Sequence, residues 1–336
     1  MTLKEKLFGA MVGNRVGHAL IAANRDFHAP RSNERQLNHE YSFTDRSTGS
    51  DKLCVILAGY KPELWDVVFG RIAAFIPQGI DVCIMTSGLV NERLQAIAQE
   101  HGWSYLSTSD NHLCLVQNIA IDCHPHAQWI YKLDEDMFVT KGFFEKMLET
   151  YEHVQNETMY EPAFVAPLIN VNCYGHLRLL DKCGLLDDFR ATGLTNMKLT
   201  DGLHHSVEVL KDPRVARYLW GETQPVLADI DALTERFSAE PLSFSICPTR
   251  FSIGAILFTR AAWEEFGHFP LTFVGGPYGL GDDEEHICHY ATFTGRVMVV
   301  NENVVVGHLG YGGPQTAEMT QYFMDHTAQF ELPTEH

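Results

Sequence analysis

The sequence predicts an α/β fold with a mostly parallel central sheet flanked by helices and a helical insertion. Three observations carry that expectation. From Lys52 onward, short apolar runs alternate with amphipathic stretches, and each run is closed by small or polar residues. At 336 residues, 45% hydrophobic and 11% aromatic, the chain is long and apolar enough to bury a large core. Parallel strands joined by right-handed crossovers align their carboxyl ends on one edge, where such sheets bind ligands. The organisation expected is a helix and linker over 1–50, the α/β domain over 51–320 with its insertion at about 170–245, and a C-terminal tail over 321–336.

Residues 1–25 (MTLKEKLFGAMVGNRVGHALIAANR) carry Phe8, Val12, Val16 and Leu20 at four-residue spacing, with Gly9, Gly13 and Gly17 in a parallel row. This predicts a helix that packs on the domain or on a second copy of the chain, or else lies on a membrane surface. Lys4, Lys6 and Arg15 argue against a span. Residues 26–50 are polar and aperiodic and read as a linker.

Leu53–Leu57 is the first strand, closed by Ala58, Gly59 and Tyr60, and a helix follows through Leu64, Val67, Val68, Ile72 and Phe75. Asp81–Met85 is the second, closed by Thr86-Ser87-Gly88, with Asn91–His101 as its helix. Trp103–Leu106 is a short strand and Leu113–Cys123 a helix. The strand containing Tyr131 ends in Asp134-Glu135-Asp136, and Gly142–Tyr151 is helical. Phe164–Ile169 reads as a fifth strand. The insertion offers helical pieces at Leu177–Leu186, Val207–Trp220 and Ile230–Phe237, a lobe expected to shape specificity. An apolar run, Ser252–Arg260, then leads through a short helix to a glycine-rich loop over 274–281, a helix starting at Asp282, a strand over Arg296–Val300, and Gly307-His308.

Composition narrows the function classes. Acids outnumber bases 43 to 25, giving a net charge of −18 that repels nucleic-acid phosphates and anionic membranes alike, so no nucleic-acid partner is expected. The eight cysteines lie singly, without CxxC or zinc-ligand spacing, and read as reduced core residues of a cytoplasmic protein. There is no secretory signal and no run approaching ~20 apolar residues, so the chain is expected to be soluble, or peripheral at the inner face of a membrane. Neither GxGxxG nor GxxxxGK[ST] follows the first strand, which counts against a dinucleotide dehydrogenase and an NTPase.

Two acidic clusters stand out. Three carboxylates at the end of a buried strand need a counter-charge, and two aspartates one residue apart supply the hard oxygen ligands Mg²⁺ or Mn²⁺ prefers; a plain strand-to-helix turn is the alternative. Asp282-Asp283-Glu284-Glu285 opens a helix, where Asp282 as N-cap and Glu285 three residues on make a capping-box-like pair. Four adjacent acids exceed what capping needs, and mutual repulsion is expected to raise at least one pKa into the range of a general base. His308, flanked by glycine at the end of an apolar strand, is either a metal ligand or a loop histidine.

In ordered combination these segments resemble the inverting GT-A glycosyltransferases, a Rossmann-like α/β family. Lys132-Leu-Asp134-Glu-Asp136 resembles their DXD motif. Gly254 through Phe258-Thr-Arg260 to Gly267-His-Phe269 is similar to the glycine, Phe-x-Arg and Gly-Gly-Phe pattern of family 2, and Gly279–Glu285 to a Gly-Trp-Gly-Gly-Glu-Asp-Asp-Asp stretch of galactosyltransferases. The resemblance covers roughly 52–140 and 245–313. It implies a nucleotide-sugar donor, commonly a UDP-sugar, bound with Mn²⁺ or Mg²⁺, and a glycan or glycolipid acceptor of polysaccharide biosynthesis. Asp136 and His308 would be metal ligands, with Asp134 at the ribose or a metal-bound water. Ala58, Gly59, Tyr60, Ser87, Asn118 and Gly254 would join Asp134 around the nucleotide-sugar. Asp283 would be the catalytic base, Asp282 its acceptor-binding neighbour and Glu284 the alternative base. Where family 2 enzymes carry aspartates after the second strand this chain has Met85-Thr86-Ser87-Gly88, which leaves nucleobase preference open. The rival readings are a catalytically silent sugar-nucleotide-binding module and a metal-dependent nucleotide-sugar hydrolase.

Overall fold

The computed structural model describes residues 37–332 apart from 201, 203, 204, 272–277, 279 and 313, together with Val16, Gly17 and Leu20. Most of the helix expected over 1–25, and residues 274–277 and 279 of the glycine-rich loop, thus lie outside the described residues.

The first half alternates as expected: β1 (Tyr41–Thr44), β2 (Lys52–Leu57), α1 (Trp65–Phe75), β3 (Asp81–Ser87), α2 (Glu92–Glu100), β4 (Ser104–Thr108), α3 (Leu113–Asp122), β5 (Trp129–Asp134), β6 (Met137–Phe138), α4 (Phe143–Glu157) and β7 (Pro162–Ile169). The central strands β2, β3 and β7 are largely apolar without alternation because helices cover both faces of the sheet; β3, β4 and β7 are buried throughout. Asn91 caps α2 by accepting from Leu94 N at 3.1 Å.

The insertion holds α5 (Gly175–Lys182), α6 (Leu186–Thr192), α7 (Val207–Lys211), α8 (Pro213–Leu219) and α9 (Ile230–Ser238). Two pieces expected as single helices are each broken in two. Gly184, at φ 70°, turns the chain between α5 and α6. Asp212 is the N-cap of α8 and Pro213 its first residue, so the preceding helix must stop there. The chain then adds β8 (Phe244–Cys247), β9 (Ala255–Thr259), α10 (Arg260–Glu265), α11 (Asp282–Thr294), β10 (Val297–His308) and α12 (Pro314–Asp325).

Among the described residues the sheet has ten strands, in the order β1-β4-β3-β2-β5-β9-β7-β10-β6, with β8 on β10. Strands β4, β3, β2, β5, β7 and β10 run in one direction, and β9 runs against them between β5 and β7. The carboxyl ends of β2, β3, β5, β7 and β10 therefore meet the start of β9 on one edge.

Four corrections to the sequence reading follow. Part of the linker, Tyr41–Thr44, is an edge strand antiparallel to β4. β8, a strand not expected from the sequence, begins at the end of the stretch read as helical insertion and pairs with β10. The strand expected to stop at Val300 continues to His308 through a bulge between Val300 and Val305, held by Asn301 Oδ1 accepting from Asn303 N at 2.8 Å and Val304 N at 3.0 Å. Finally, α12 runs across residue 320, where a tail was expected to begin, and Phe330 beyond it is buried. Its ring packs with Trp220, Phe323 and Phe138 at 4.6, 5.0 and 5.1 Å between centroids. Arg71 on α1, fully buried, seals this end: it donates to the carbonyls of Val139, Phe330 and Glu331 and pairs with both oxygens of Asp231 on α9.

Candidate functional site

A cavity of about 660 Å³ opens on the carboxyl edge of the sheet. The ends of β2 (Leu57), β3 (Ser87), β5 (Asp134) and β10 (His308) wall it together with Gly254 before β9 and Asp283 on α11. It contains two charged centres.

The first is built on Asp136. This carboxylate is 2% exposed; its Oδ2 carries the ammonium of Lys61 and lies 3.3 Å from His308 Nε2. Burial alone would raise Asp136, but Lys61 and His308 outweigh it and hold the carboxyl well below its usual range. His308 is aimed from behind. Its Nδ1 sits 2.7 Å from the carbonyl of Val171, which accepts the Nδ1–H and turns Nε2 toward Asp136. Its backbone is tied by Asn170 Oδ1 and Trp220 Nε1 at 2.8 and 2.9 Å.

Glu135, between the two aspartates, has a different task. It accepts from Gly59 N, Tyr60 N and the indole of Trp65 at 2.9, 3.0 and 2.6 Å, pinning the loop after β2. Burial raises its pKa against those three donors.

The second centre is built on Lys132, a 3% exposed lysine on β5. Its Nζ lies 2.8 Å from Asp134 Oδ1, an ion pair whose alignment falls short of a hydrogen bond, donates to Ile253 O at 3.0 Å, and lies 3.9 Å from Asp283 Oδ2. Loss of hydration and the neighbouring carboxylates raise Asp134 against the pull of Lys132. Asp283 is further fixed by Gln117 Nε2 at 3.0 Å and by the backbone N–H of Glu284 at 2.8 Å. Its helix starts after Gly281, so Gly281, and not Asp282, is the N-cap.

The remaining expected residues divide. Tyr60, Ser87 and Gly254 line the cavity; Tyr60 donates to Ser87 O at 3.1 Å, and Ser87 Oγ is buried with no hydrogen-bond partner among the described residues. Gly254 permits the approach of Met137: a Cβ there would fall 1.7 Å from its Cε. Ala58 and Gly59 lie behind the wall, and Asp282 is buried outside the lining. Asn118 is removed from the cavity by its own bonds. It donates to Phe269 O and accepts from Phe269 N and Trp263 Nε1 at 2.8, 3.0 and 3.1 Å, so it is an internal tie. Arg260 likewise spends its guanidinium on the carbonyls of Ile121, His124 and Ala127.

Glu284 lines the cavity but is unsuited to the role of base. Burial would raise it, but His205 at 3.0 Å and the contacting guanidinium of Arg250 bring it below its usual range, the reverse of the shift expected from a cluster of acids. Lys61, Lys132, Arg250 and His205 were not singled out in the sequence. A lysine inside an otherwise apolar strand was the visible signal for Lys132; the other three owe their roles to distant partners.

No family model and no curated protein matches the chain. It is similar in structure to GalNAc-T7 with UDP, GalNAc and Mn²⁺ (11% identity, 81% of this chain, 47% of that one, TM-score 0.43). It is also similar to the mannosyltransferase PcManGT from Pyrobaculum calidifontis with GDP-Man and Mn²⁺ (12%, 98% and 74%, 0.42). A third is glucosyl-3-phosphoglycerate synthase from Mycobacterium tuberculosis with Mn²⁺, UDP and phosphoglyceric acid (12%, 84% and 80%, 0.40). The chain spans about half the length of the first of these.

Proposed function

We propose that this chain is a metal-dependent glycosyltransferase that moves a sugar from a nucleotide-sugar donor, a UDP-sugar, to a hydroxyl of a glycan or glycolipid with inversion. The observation that carries the reading is one cavity holding two carboxylate centres of opposite character: Asp136, kept ionised beside an imidazole, and Asp283, held in fixed orientation on another element.

The first centre fits a divalent cation. Asp136 Oδ2 and His308 Nε2 are 3.3 Å apart, close to the ~3 Å between neighbouring ligands on an octahedral ion with bonds of ~2.1 Å. Among the described residues no cluster of three or more His, Cys, Asp or Glu surrounds a metal position, so the protein supplies few ligands. That suits Mn²⁺ or Mg²⁺, which share their coordination with waters and phosphates. Bound there, the ion would stabilise charge developing on a diphosphate leaving group.

The chain's own residues supply the rest. Asp136 and His308 would hold the cation, and Asp134 faces the same cavity. Asp283, which lines the cavity, accepts the proton of the attacking hydroxyl, while Lys132 balances the negative charge between Asp134 and Asp283. One displacement opposite the leaving group inverts the anomeric carbon.

The test is a thermal-shift titration with UDP, GDP, CMP and their sugar conjugates, each with Mn²⁺ and with EDTA. Ligands that bind the folded state raise its melting temperature by mass action. A manganese-dependent shift with one nucleotide is expected. No shift with any of them would remove the donor-site assignment.

A further inference from the structure

Lys61 is a cation at a position where the proposed chemistry wants a different one. Its ammonium rests on Asp136 Oδ2, the oxygen that also faces His308 Nε2. The two ends of this side chain are held very differently. Its backbone lies in the loop that Glu135 pins through Gly59 N, Tyr60 N and Trp65, so the stem is rooted. The side chain is 27% exposed, lines the cavity, and has four rotatable carbons over which to swing. Held at the same carboxylate oxygen an ammonium and a divalent cation repel each other, so a cation entering at Asp136 drives Lys61 away.

We propose that Lys61 is a diphosphate-binding residue that Asp136 holds in reserve: its ammonium neutralises the metal-ligand carboxylate in the free protein and passes to the donor's diphosphate when a cation takes Asp136. The proposal rests on the donor site inferred above. It has a thermodynamic consequence that the site alone does not. Metal binding must displace Lys61, so Mn²⁺ alone binds weakly; a diphosphate gives the displaced ammonium a partner, so it tightens the metal, and the metal tightens it by the same factor.

Free Mn²⁺ can be followed by electron paramagnetic resonance in titrations of the full chain, alone and with inorganic pyrophosphate or UDP. Lys61→Met is expected to bind Mn²⁺ alone about tenfold more tightly than the parent chain, and to lose about tenfold in Mn²⁺-dependent pyrophosphate affinity. Lys61→Arg keeps the charge and should retain the coupling between the two ligands. Unchanged or weaker Mn²⁺ binding in Lys61→Met would overturn the proposal while leaving the donor site standing, as would undiminished pyrophosphate affinity. Failure of every form to bind Mn²⁺, with or without pyrophosphate and UDP, would overturn both. Circular dichroism melts of the three proteins verify that substitution at this partly buried position has not perturbed folding.

Discussion

Three adjacent acids, Asp134, Glu135 and Asp136, have the same charge and near-identical chemistry, yet their surroundings separate them. Asp134 faces a lysine across the cavity floor, Glu135 closes a loop with three donors, and Asp136 meets a lysine and a histidine. Asp136→Ala is therefore expected to abolish metal-dependent nucleotide stabilisation in the thermal-shift assay. Asp283→Asn should keep that stabilisation and remove transfer to acceptor; full transfer by this variant would take the base role away from Asp283. A separate prediction concerns His176, buried on α5 with its Nδ1 on Asn172 O, whose pKa burial lowers to about 4. The unfolded histidine takes up its proton near pH 6.5, so the contribution of the neutral ring is complete above that pH and is lost as pH falls from about 6.5 to 4. His176→Gln should flatten the pH dependence of unfolding in that window, where the parent loses up to ~3 kcal/mol. Asp136 and His308 drew attention because each ends an apolar run, where a charge or imidazole needs a reason, and Asp283 because it stands in a run of four acids after a glycine-rich loop. Lys61 did not, because its partner lies 75 positions away in the sequence.

At the level of elements, the same contrast between local and distant causes explains what the sequence disclosed. Apolar runs marked β2, β3, β5 and β7, with a closing glycine after the first two, because burial on both faces leaves a local imprint. β1 and β8 were hidden: Tyr41–Thr44 is largely exposed and β8 half-buried, so neither carries a strong pattern. The break at Asp212-Pro213 was written in the chain as a capping aspartate before a proline, whereas the bulge in β10 is held by Asn301 Oδ1 accepting from Val304 N and by Asn303 Nδ2 donating to the distant carbonyl of Phe237. Asn118 misled because an exposed helix position and a buried tie look alike in one dimension. Its three bonds join α3 to Trp263 and to the turn at Phe269. Asn118→Ala should lower unfolding free energy by about 1–3 kcal/mol in denaturant titration and leave the metal-dependent nucleotide affinity of the folded protein unchanged.

At the level of the whole molecule, the closing strands and the final helix are as much part of the architecture as the alternating half. Arg71 joins α1, the segment after β6, α9 and the turn at Phe330 in one buried cluster. Arg71→Met removes a buried cation and leaves Asp231 and three carbonyls without it, so a loss of about 3–5 kcal/mol is expected, read as a lowered denaturation midpoint. No helix among the described residues is long and apolar enough to cross a membrane.

The neighbour of β5 in the finished sheet, β9, lies far downstream, and so does Asp283, 166 positions beyond Gln117. A ribosome adding about 5–20 residues per second leaves the edge of β5 uncovered for several seconds or more. An uncovered edge strand is a template for pairing with other nascent chains, and an inward-pointing charge is a natural guard against that. Until β9 arrives, Lys132 is such a guard, an ammonium in the middle of an otherwise apolar β5. The residue that pairs with Asp134 and approaches Asp283 in the completed protein thus also stands where an uncovered edge would need a charge.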